Sequence, residues 1–330
     1  MQPTKHHLLI LLTLVTTHLH LVASWGSLGH RTTVALSLLH IPQTHPAHTL
    51  LSSLLHNQDP TTAGLFPDKI RYIPSFAYTA PWHYIDALDN PPHQCSINFT
   101  RDCLPSEGCV VTAIANHTER VADQTLPFWQ RGQSMRFMLH FFGDVHQPLH
   151  TENLSRGGND IDVMFDRQRH NLHSVWDTLI PKKIVEIAGD GGVLGAAQRW
   201  DLGNETEAAY AWAEFLYSKY GHDDRVAEMV DHVCVHDAVE CALRWASEAN
   251  AYVCSYVMKG GLEDLESKDL GEEYFEGAVP IIEEMIVKGG RRLARWLMMV
   301  AQDLHDAGIS GVDEQLLCRN SEGSPGCGAS

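Results

Sequence analysis

The sequence predicts an all-α fold, a single mostly helical domain, on two observations. Four long stretches place apolar residues at three- and four-residue intervals, which is the period of an α-helix; they cover residues 119–145, 207–221, 237–260 and 278–304. No internal repeat, proline-rich linker or block of charge divides the 330 residues. Although a chain of this length could form two domains of about 150 residues each, the uninterrupted pattern favours one.

Turn-forming residues set the expected limits of these elements. Gly221, Gly260 and Gly289 are predicted to stop or kink the helices that contain them. The one strand-like stretch lies around 160–165, where apolar and polar residues alternate after a Gly-Gly-Asn-Asp turn. The fold is therefore expected to contain very little β-structure.

Both ends of the chain are expected to lie outside the folded domain. Residues 1–24 have the form of a secretory signal peptide, with a basic Lys5, an apolar run and small residues before Trp25. A transmembrane anchor is the alternative, but the apolar run is too short to span a bilayer. We expect cleavage before Trp25, a secreted or lumenal enzyme without a membrane anchor, a domain over residues 25–302 and a flexible tail over residues 303–330.

The cysteines and glycosylation sequons agree with an oxidising compartment. All eight cysteines follow residue 24, and Cys103 and Cys109 close a short loop and form a plausible pair. The remaining disulfide connectivity is open at this point. Four Asn-x-Ser/Thr sequons predict glycosylation at Asn98, Asn116, Asn153 and Asn204.

The net charge limits the kinds of ligand that the whole surface can attract. The chain has 24 Lys and Arg residues against 41 Asp and Glu residues, a net charge of −17. Broad electrostatic binding to nucleic acid or to anionic membranes is therefore excluded. A polyanionic substrate would need a local source of positive charge, and the 21 histidines suggest a metal as that source.

The densest chemistry lies in the segment HFFGDVHQPLH, residues 140–150. His140 and Asp144 are four residues apart, so on a helix they project from the same face. Pro148 disfavours helix at Gln147, which allows the chain to turn and bring His150 back towards that face. This spacing predicts a group of ligands at the end of one helix.

A second group follows in NLHSVWDTLI, residues 171–180. Asn171 is a good N-cap, and His173 and Asp177 repeat the four-residue spacing on a new helix, which Pro181 is predicted to stop. One His-x-x-x-Asp pair is usually a surface ion pair. Two such pairs in apolar sequence instead indicate a site with nitrogen and oxygen ligands, which suits zinc, because unpaired buried charges are costly.

Further candidate ligands lie upstream, each a weak signal by itself. Trp25 would begin the mature chain, and its free amine and carbonyl oxygen can chelate a metal together. His30 follows in the same segment, Asp68 lies three residues before Arg71, and His83 lies three residues before Asp86.

Together these residues resemble the secreted zinc-dependent, single-strand-preferring nucleases of the S-one/P-one type, including the plant bifunctional nucleases. The resemblance extends from Trp25 to about Gln302, and its most specific parts are WGSLGH, HFFGDVHQPLH, RGGND and NLHSVWD. It implies the fold of the zinc phospholipase C/nuclease type with a trinuclear zinc cleft.

The resemblance also implies the ligands of the three zinc ions. The first ion would take Asp68, His83, His140 and Asp144. The second, bridged to the first by Asp144, would take His30 and the amine and carbonyl of Trp25. The third would take His150, His173 and Asp177, whereas His146 would not bind a metal and would instead pack or support a ligand.

The same family positions imply how the substrate is handled. Asp68 would orient the nucleophile, and Arg71 would contact the phosphate, with a structural salt bridge as the alternative for Arg71. Tyr84 would stack on a base, Asp86 would accept a hydrogen bond from the base edge, and Asn159 would contact the substrate. Tyr84 could instead pack in the core.

Two positions depart from the family pattern. Phe66 and Pro67 precede Asp68 where the family usually has Trp-Ala, which leaves the path of this loop open. Arg156 stands before Gly-Gly-Asn-Asp where some members have a small apolar residue, and a cation there would favour longer or more anionic substrates.

The function implied is that of a monomeric zinc-dependent endonuclease that cleaves single-stranded DNA and RNA to 5′-phosphorylated products and also acts on 3′-nucleotides. A zinc phospholipase C and a non-catalytic zinc-binding protein are the alternatives. The third site has three protein ligands rather than the four of a structural zinc site, which favours an enzyme.

Overall fold

Helices make up most of the computed structural model, which describes residues 25–189, 204–221 and 237–309. The predicted signal peptide and most of the predicted tail lie outside these residues. The elements in chain order are α1 (Ser27–Leu39), α2 (Ala47–Leu54), α3 (Pro60–Ala63), α4 (Phe66–Ile70), a 3-10 helix (Pro74–His83), α5 (Phe99–Asp102), α6 (Val110–Ala122), α7 (Phe128–Asp144), a 3-10 turn (Pro148–Thr151), a tight turn (Ser155–Gly158), β1 (Asp162–Phe165), β2 (Gln168–Asn171), a short helix (Leu172–Ser174), a π-helical turn (Val175–Leu179), α8 (Ile180–Gly189), α9 (Glu205–Tyr220), α10 (Ala238–Tyr252), a second π-helical turn (Val253–Val257), α11 (Gly261–Ser267) and α12 (Glu273–Asp306). The predicted all-α fold is confirmed.

Helix α1 occupies the centre of the packing, in contact with α9, α12 and α7. Its approach to α12 depends on two glycines of α12. A Cβ atom on Gly290 would lie 3.0 Å from the side chain of Leu36, and one on Gly289 would lie 3.0 Å from the carbonyl oxygen of Phe142. Of the predicted stop or kink at Gly289, the stop is wrong, because the helix continues to Asp306 and the glycine serves close packing.

The four predicted helical stretches are present, with two internal changes. The stretch 119–145 is divided into α6 and α7, because Pro127 disfavours helix at the residue before it and Asp123 accepts a hydrogen bond from the Thr125 amide (2.8 Å). The stretch 237–260 changes to a π-helical turn at Val253. Gly221 is the C-cap of α9, as predicted. Helix α12 ends at Asp306, four residues beyond the predicted domain boundary at Gln302.

The predicted strand is confirmed as β1 of a two-stranded antiparallel hairpin. Asp162 pairs with Asn171 and Phe165 with Gln168. The second strand, Gln168–Asn171, carries no apolar alternation and was not predicted. The hairpin matters because its last residue, Asn171, accepts a hydrogen bond from the Ser174 amide (2.7 Å) and so begins the predicted helix.

The predicted stop at Pro181 is wrong. The chain stays helical through the π-helical turn and α8 to Gly189. Proline lacks the N–H that would bond the carbonyl of Asp177 four residues earlier, but the amide of Gly26 bonds that carbonyl instead (2.7 Å). An outside donor therefore satisfies the carbonyl that the proline leaves free.

Two disulfides join described residues. The predicted Cys103–Cys109 pair is confirmed, and Cys95 pairs with Cys254. The second pair links the segment after the 3-10 helix to the second π-helical turn. Within the described ranges, no helix is long and apolar enough to cross a bilayer.

The core also contains a histidine that should make stability depend on pH. His117 is 4% exposed, its Nδ1 lies 3.0 Å from the Ser134 hydroxyl, and its ring stacks on Phe137. Burial, helped by Arg120, lowers the pKa of His117 to about 3, whereas an unfolded histidine titrates near 6.5. The unfolded chain therefore binds the extra proton first, and stability is lost as the pH falls below 6.5.

We expect His117→Gln to remove this dependence. Between pH 7.5 and pH 5, the free energy of unfolding of the wild type should fall by about 2 kcal/mol more than that of the variant. Urea denaturation of both proteins at the two pH values measures the difference. Equal pH dependence in both proteins would mean that His117 is not buried neutral.

Candidate metal centre

Helix α7 and the turn after it bring the first predicted ligands together. The helix ends at Asp144, Gln147 is extended, and the 3-10 turn that starts at Pro148 returns the chain. His150 Nδ1 consequently lies 3.3 Å from Asp144 Oδ1. The predicted turn at Pro148 is confirmed, with His140, Asp144 and His150 all buried.

Asp144 lies between two groups of side chains. One carboxylate oxygen, Oδ2, is 3.0 Å from His83 Nδ1 and 3.2 Å from His140 Nε2. The other, Oδ1, is 3.5 Å from His30 Nε2. Asp68 closes the first group, with its Oδ1 at 3.6 Å from His140 Nε2 and 3.7 Å from His83 Nδ1. The two oxygens of one carboxylate thus face different histidines, which is the arrangement of a bridging ligand.

A separate group forms around Asp177. His173 Nε2 lies 2.9 Å from Asp177 Oδ2, and His150 Nε2 lies 3.7 Å from Asp177 Oδ1. The hairpin and the N-cap at Asn171 place His173 and Asp177 one helical turn apart. All three side chains are buried, and their ligand atoms lie close enough together to hold one metal ion.

Backbone carbonyls fix the orientation of three of these histidines. Nδ1 of His140 bonds the carbonyl of Gly64 (2.8 Å), and Nδ1 of His150 bonds that of His83 (2.9 Å). Nδ1 of His173 bonds the carbonyl of Gly157 (2.6 Å). An imidazole that donates from Nδ1 presents an Nε2 lone pair, and metal-binding histidines are commonly held in this way.

Electrostatics show that the centre accommodates positive charge. Burial opposes ionisation of Asp144, but His140 and hydrogen bonds from neighbouring histidines hold its pKa well below the ordinary value. Asp177 is affected in the same way, and its pKa falls to about 2. Burial also opposes protonation of His150, yet Asp144 and Asp177 raise the pKa of His150 to about 10. Buried carboxylates facing imidazole nitrogens fit a bound cation.

The predicted substrate residues line an open cleft of about 670 Å³ that reaches His83, His150 and His173. Arg71, Tyr84, Asp86 and Asn159 all lie in its wall. Burial and the charges of Asp102 and Glu107 raise the pKa of Asp86 to about 6. Arg71 is 7% exposed and lies 3.5 Å from Asp68, so it is held between the ligand group and the cleft.

Comparison with known proteins identifies the family to which the chain belongs. A family model described as S1/P1 Nuclease matches residues 25–302. The chain belongs to the S1/P1 nuclease family. It is 37% identical to Nuclease P1 of Penicillium citrinum over 83% of this chain and 96% of that protein. Nuclease S1 of Aspergillus oryzae is 33% identical over 85% and 93%, and Endonuclease 1 of Arabidopsis thaliana is 31% identical over 92% and 95%.

Membership of the S1/P1 nuclease family confirms the predicted class of enzyme, a hydrolase of phosphodiester bonds that acts on nucleic acids. The geometry agrees, since the described residues contain His/Asp groups able to hold metal ions beside a cleft. Trp25 is fully buried two residues before the start of α1, the helix that carries His30.

The two departures from the family pattern have different structural consequences. Phe66 and Pro67 begin α4, where Phe66 packs edge-on against Phe137 (6.0 Å) and Asp68 still reaches the centre. Arg156 lines the cleft and pairs with Asp160 at 2.6 Å. The first departure leaves the ligand group intact, whereas the second adds a cation to the cleft.

Some residues near the centre have positions or contacts that the sequence did not indicate. Asn153, predicted only as a glycosylation site, lines the cleft beside Tyr84 and Asp86. His146, expected to pack or to support a ligand, lies 2.7 Å from the Phe142 carbonyl and 2.7 Å from an Arg292 nitrogen. Gly143 contacts His30 so closely that a Cβ atom would lie 2.6 Å from Nδ1. No spacing rule identifies such a glycine.

We expect Gly143→Ala to weaken metal binding sharply. His30 is fully buried and stacks on His140 with ring centroids 3.7 Å apart, so its ring has no room to retreat from the new methyl group. Displacing it should lower metal affinity by about 10- to 100-fold, the usual effect of disturbing a ligand's support. Zinc retained after dialysis against a weak chelator measures the change.

Gly277→Ala is the matched control, because its Cβ atom on α12 would meet the Tyr256 hydroxyl at 2.3 Å, a similar steric conflict that involves no proposed metal ligand. Equal zinc retention in both alanine variants would contradict the assigned contact between Gly143 and His30.

Proposed function

We propose that this nuclease is a zinc-dependent endonuclease that cleaves single-stranded DNA and RNA to 5′-phosphorylated products and also removes the phosphate from 3′-nucleotides. The observation that carries the proposal is the position of the His/Asp groups. They converge beneath a cleft whose wall also holds a guanidinium, Arg71, and an aromatic ring, Tyr84. A metal centre at the base of such a cleft suits an anionic ester with an unpaired base.

The centre would hold three zinc ions. Asp68, His83, His140 and Asp144 would bind the first, and Trp25, His30 and Asp144 the second. His150, His173 and Asp177 would bind the third. The division of the two Asp144 oxygens between His83/His140 and His30 supports a bridged pair. Imidazole nitrogen with carboxylate oxygen is a ligand set that zinc favours.

Zinc, when bound, supplies a Lewis acid and lowers the pKa of a coordinated water to about 7. The protein supplies orientation. Asp68, which is partly exposed and lies 3.5 Å from Arg71, would accept a hydrogen bond from the attacking water. Arg71 would donate to a phosphate oxygen as negative charge develops there. Three of the histidines, His140, His150 and His173, are held in place because backbone carbonyls accept hydrogen bonds from their Nδ1 atoms.

Preference for single strands would come from the base-binding wall. Tyr84 is partly buried in the cleft and can stack on one base, and stacking on an aromatic ring is worth about 1–3 kcal/mol for any base. Asp86 lies two residues further and can accept from a base amino group. A paired base cannot reach these groups without unstacking, so a duplex would react more slowly. The test compares the rate of cleavage of a single strand with the rates for a nicked duplex and a fully paired duplex.

The enzyme would act outside the cytosol as a monomer, after cleavage before Trp25. The disulfides Cys95–Cys254 and Cys103–Cys109 support an oxidising compartment. Glycans would be carried at Asn98, Asn116, Asn153 and Asn204. Asn98, Asn116 and Asn204 are exposed, whereas Asn153 is partly buried in the cleft wall, where a glycan would narrow access.

Arg156 should extend the binding site along the strand. Its side chain is 62% exposed and pairs with the exposed carboxylate of Asp160, an ion pair that a phosphate can replace at small cost. Arg156→Ala should raise KM for a single-stranded 10-mer several-fold and leave KM for a dinucleotide unchanged. The slope of log(kcat/KM) against log salt should fall by about 0.7, the value for one lost contact to single-stranded phosphate.

Arg169→Ala, a change of the exposed arginine on β2, is the control for general charge effects. If both arginine variants alter the salt slope equally, or if the dinucleotide is affected as much as the 10-mer, Arg156 does not bind the strand.

A further inference from the structure

Pro181 lies inside a continuous helical run, in a position that frees one carbonyl group. The run passes from the π-helical turn Val175–Leu179 directly into α8. The Ile180 amide bonds the Val175 carbonyl, five residues earlier, and the chain then continues as the α-helix α8. Where the α-helical register resumes, an amide at position 181 would donate to the carbonyl of Asp177, but proline has no amide hydrogen. A buried carbonyl without a donor is costly, so the chain must satisfy it from elsewhere.

The donor comes from the start of the mature chain. The amide of Gly26 bonds the carbonyl of Asp177 at 2.7 Å. The approach requires glycine, since a Cβ atom on residue 26 would lie 2.7 Å from the Thr178 hydroxyl and 3.0 Å from the Asp177 carbonyl. Gly26 thus sits against the helix with no space between them.

This contact joins two parts of the metal centre. The side chain of Asp177 faces His150 and His173, while its carbonyl holds the residue that follows Trp25. Helix α1 begins at Ser27, immediately after the contact, and carries His30 to Asp144 at 3.5 Å. The position of the N-terminus is therefore set from the helix that also bears Asp177.

We propose that Pro181 is a positioning residue for the N-terminal metal ligands, an inference that rests on the proposed metal-binding role of Trp25. By withholding an amide, Pro181 reserves the carbonyl of Asp177 for Gly26. An alanine at position 181 supplies a competing donor from within the helix, one that reaches that carbonyl in the α-helical register. The N-terminus then loses its anchor, although the helix itself gains a hydrogen bond.

The proline is also compatible with a purely local role, because proline is favoured near the first turn of a helix. The two roles differ in what Pro181→Ala does to the N-terminus. A local role affects only helix stability. A positioning role exposes the α-amine of Trp25 and loosens one zinc ion without unfolding the protein.

The experiment uses the processed chain, secreted so that it begins at Trp25, as wild type and as Pro181→Ala. Labelling of the α-amine by an amine-selective reagent at neutral pH is followed by mass spectrometry, and zinc is counted after dialysis against a weak chelator. We expect the variant to be labelled at least 10-fold faster and to retain two zinc ions where the wild type retains three. Its melting temperature should be no lower than that of the zinc-free wild type.

Pro280→Ala is the matched control, since Pro280 also lies inside a long helix, α12, but is exposed. It should change neither labelling nor zinc content. Gly26→Ala provides a second route to the same loss, by steric displacement of the anchor rather than by competition. Both Gly26→Ala and Pro181→Ala should show the same rapid labelling.

Labelling and zinc content of Pro181→Ala equal to the wild type would overturn the proposal. A wild-type α-amine that reacts equally fast with and without zinc would instead remove Trp25 from the ligands, and the failure would then lie in the proposed metal assignment. The wild-type and variant arms therefore separate the two failures.

Discussion

Replacing Asp144 with asparagine should abolish hydrolysis and release more than one metal ion. Asp144 is fully buried, and its two oxygens face His83 and His140 on one side and His30 on the other. Asparagine has nearly the same shape but offers one neutral oxygen, so it cannot bridge two cations. We expect kcat to fall on the order of 1,000-fold or more, since the loss affects both metal binding and charge stabilisation.

Two further substitutions serve as controls for Asp144→Asn. Asp303→Asn changes an exposed carboxylate on α12 and should leave zinc content and kcat unchanged. Asp86→Asn should keep all the zinc and change mainly the relative KM for different bases, because Asp86 lies in the cleft wall rather than among the ligand groups. Equal losses from Asp144→Asn and Asp86→Asn would contradict the assigned roles.

A chain that retains residues 1–24, or that carries a tag before Trp25, should be nearly inactive. The peptide bond at Trp25 converts the α-amine to an amide, which is a poor metal ligand at neutral pH. The extra residues would also have to extend outward from a buried position, because Trp25 has no exposed surface. We expect activity to be at least about 100-fold lower and to return when a protease removes the extension up to Trp25.

The control for this second prediction is the same tag placed after Ser330, far along the chain from the ligand groups. Activity and zinc content of the C-terminally tagged protein should equal those of the untagged one. Full activity of a preparation whose N-terminus is shown to be uncut would remove the amine of Trp25 from the centre.

The sequence was most informative about site residues that lie close together along the chain. His140 and Asp144 could be placed on one helical face from their spacing alone, and Pro148 indicated the turn that returns His150. Asn171 similarly marked the start of the helix that carries His173 and Asp177. These relationships span fewer than ten residues each, so backbone geometry determines them without knowledge of the rest of the fold.

The sequence was least informative where a residue is used by a distant part of the chain. Gly289 reads as a helix stop, yet it permits α12 to approach Phe142. Pro181 likewise reads as a stop, yet its missing amide is compensated by Gly26, about 150 positions away. Such residues are unfavourable within a helix, but they allow a contact with a distant part of the chain. The local sequence pattern does not show that contact, so both positions were predicted as helix stops.

The ligand groups illustrate the same limit. His30, Asp68 and His83 were weak signals in the sequence, because each lies on a separate element with no fixed spacing to the others. Their convergence on Asp144 depends on how α1, α4 and the 3-10 helix pack against α7. Only the family resemblance linked them before the structure was known.

The most direct test of the account is hydrolysis of single-stranded DNA by the untagged chain that begins at Trp25, with and without a chelator, with identification of the product ends. The account predicts 5′-phosphorylated products, loss of cleavage in the chelator and recovery when zinc is added back. Absence of cleavage by a preparation shown to contain three zinc ions would contradict the proposed function, as would products that end in 3′-phosphate.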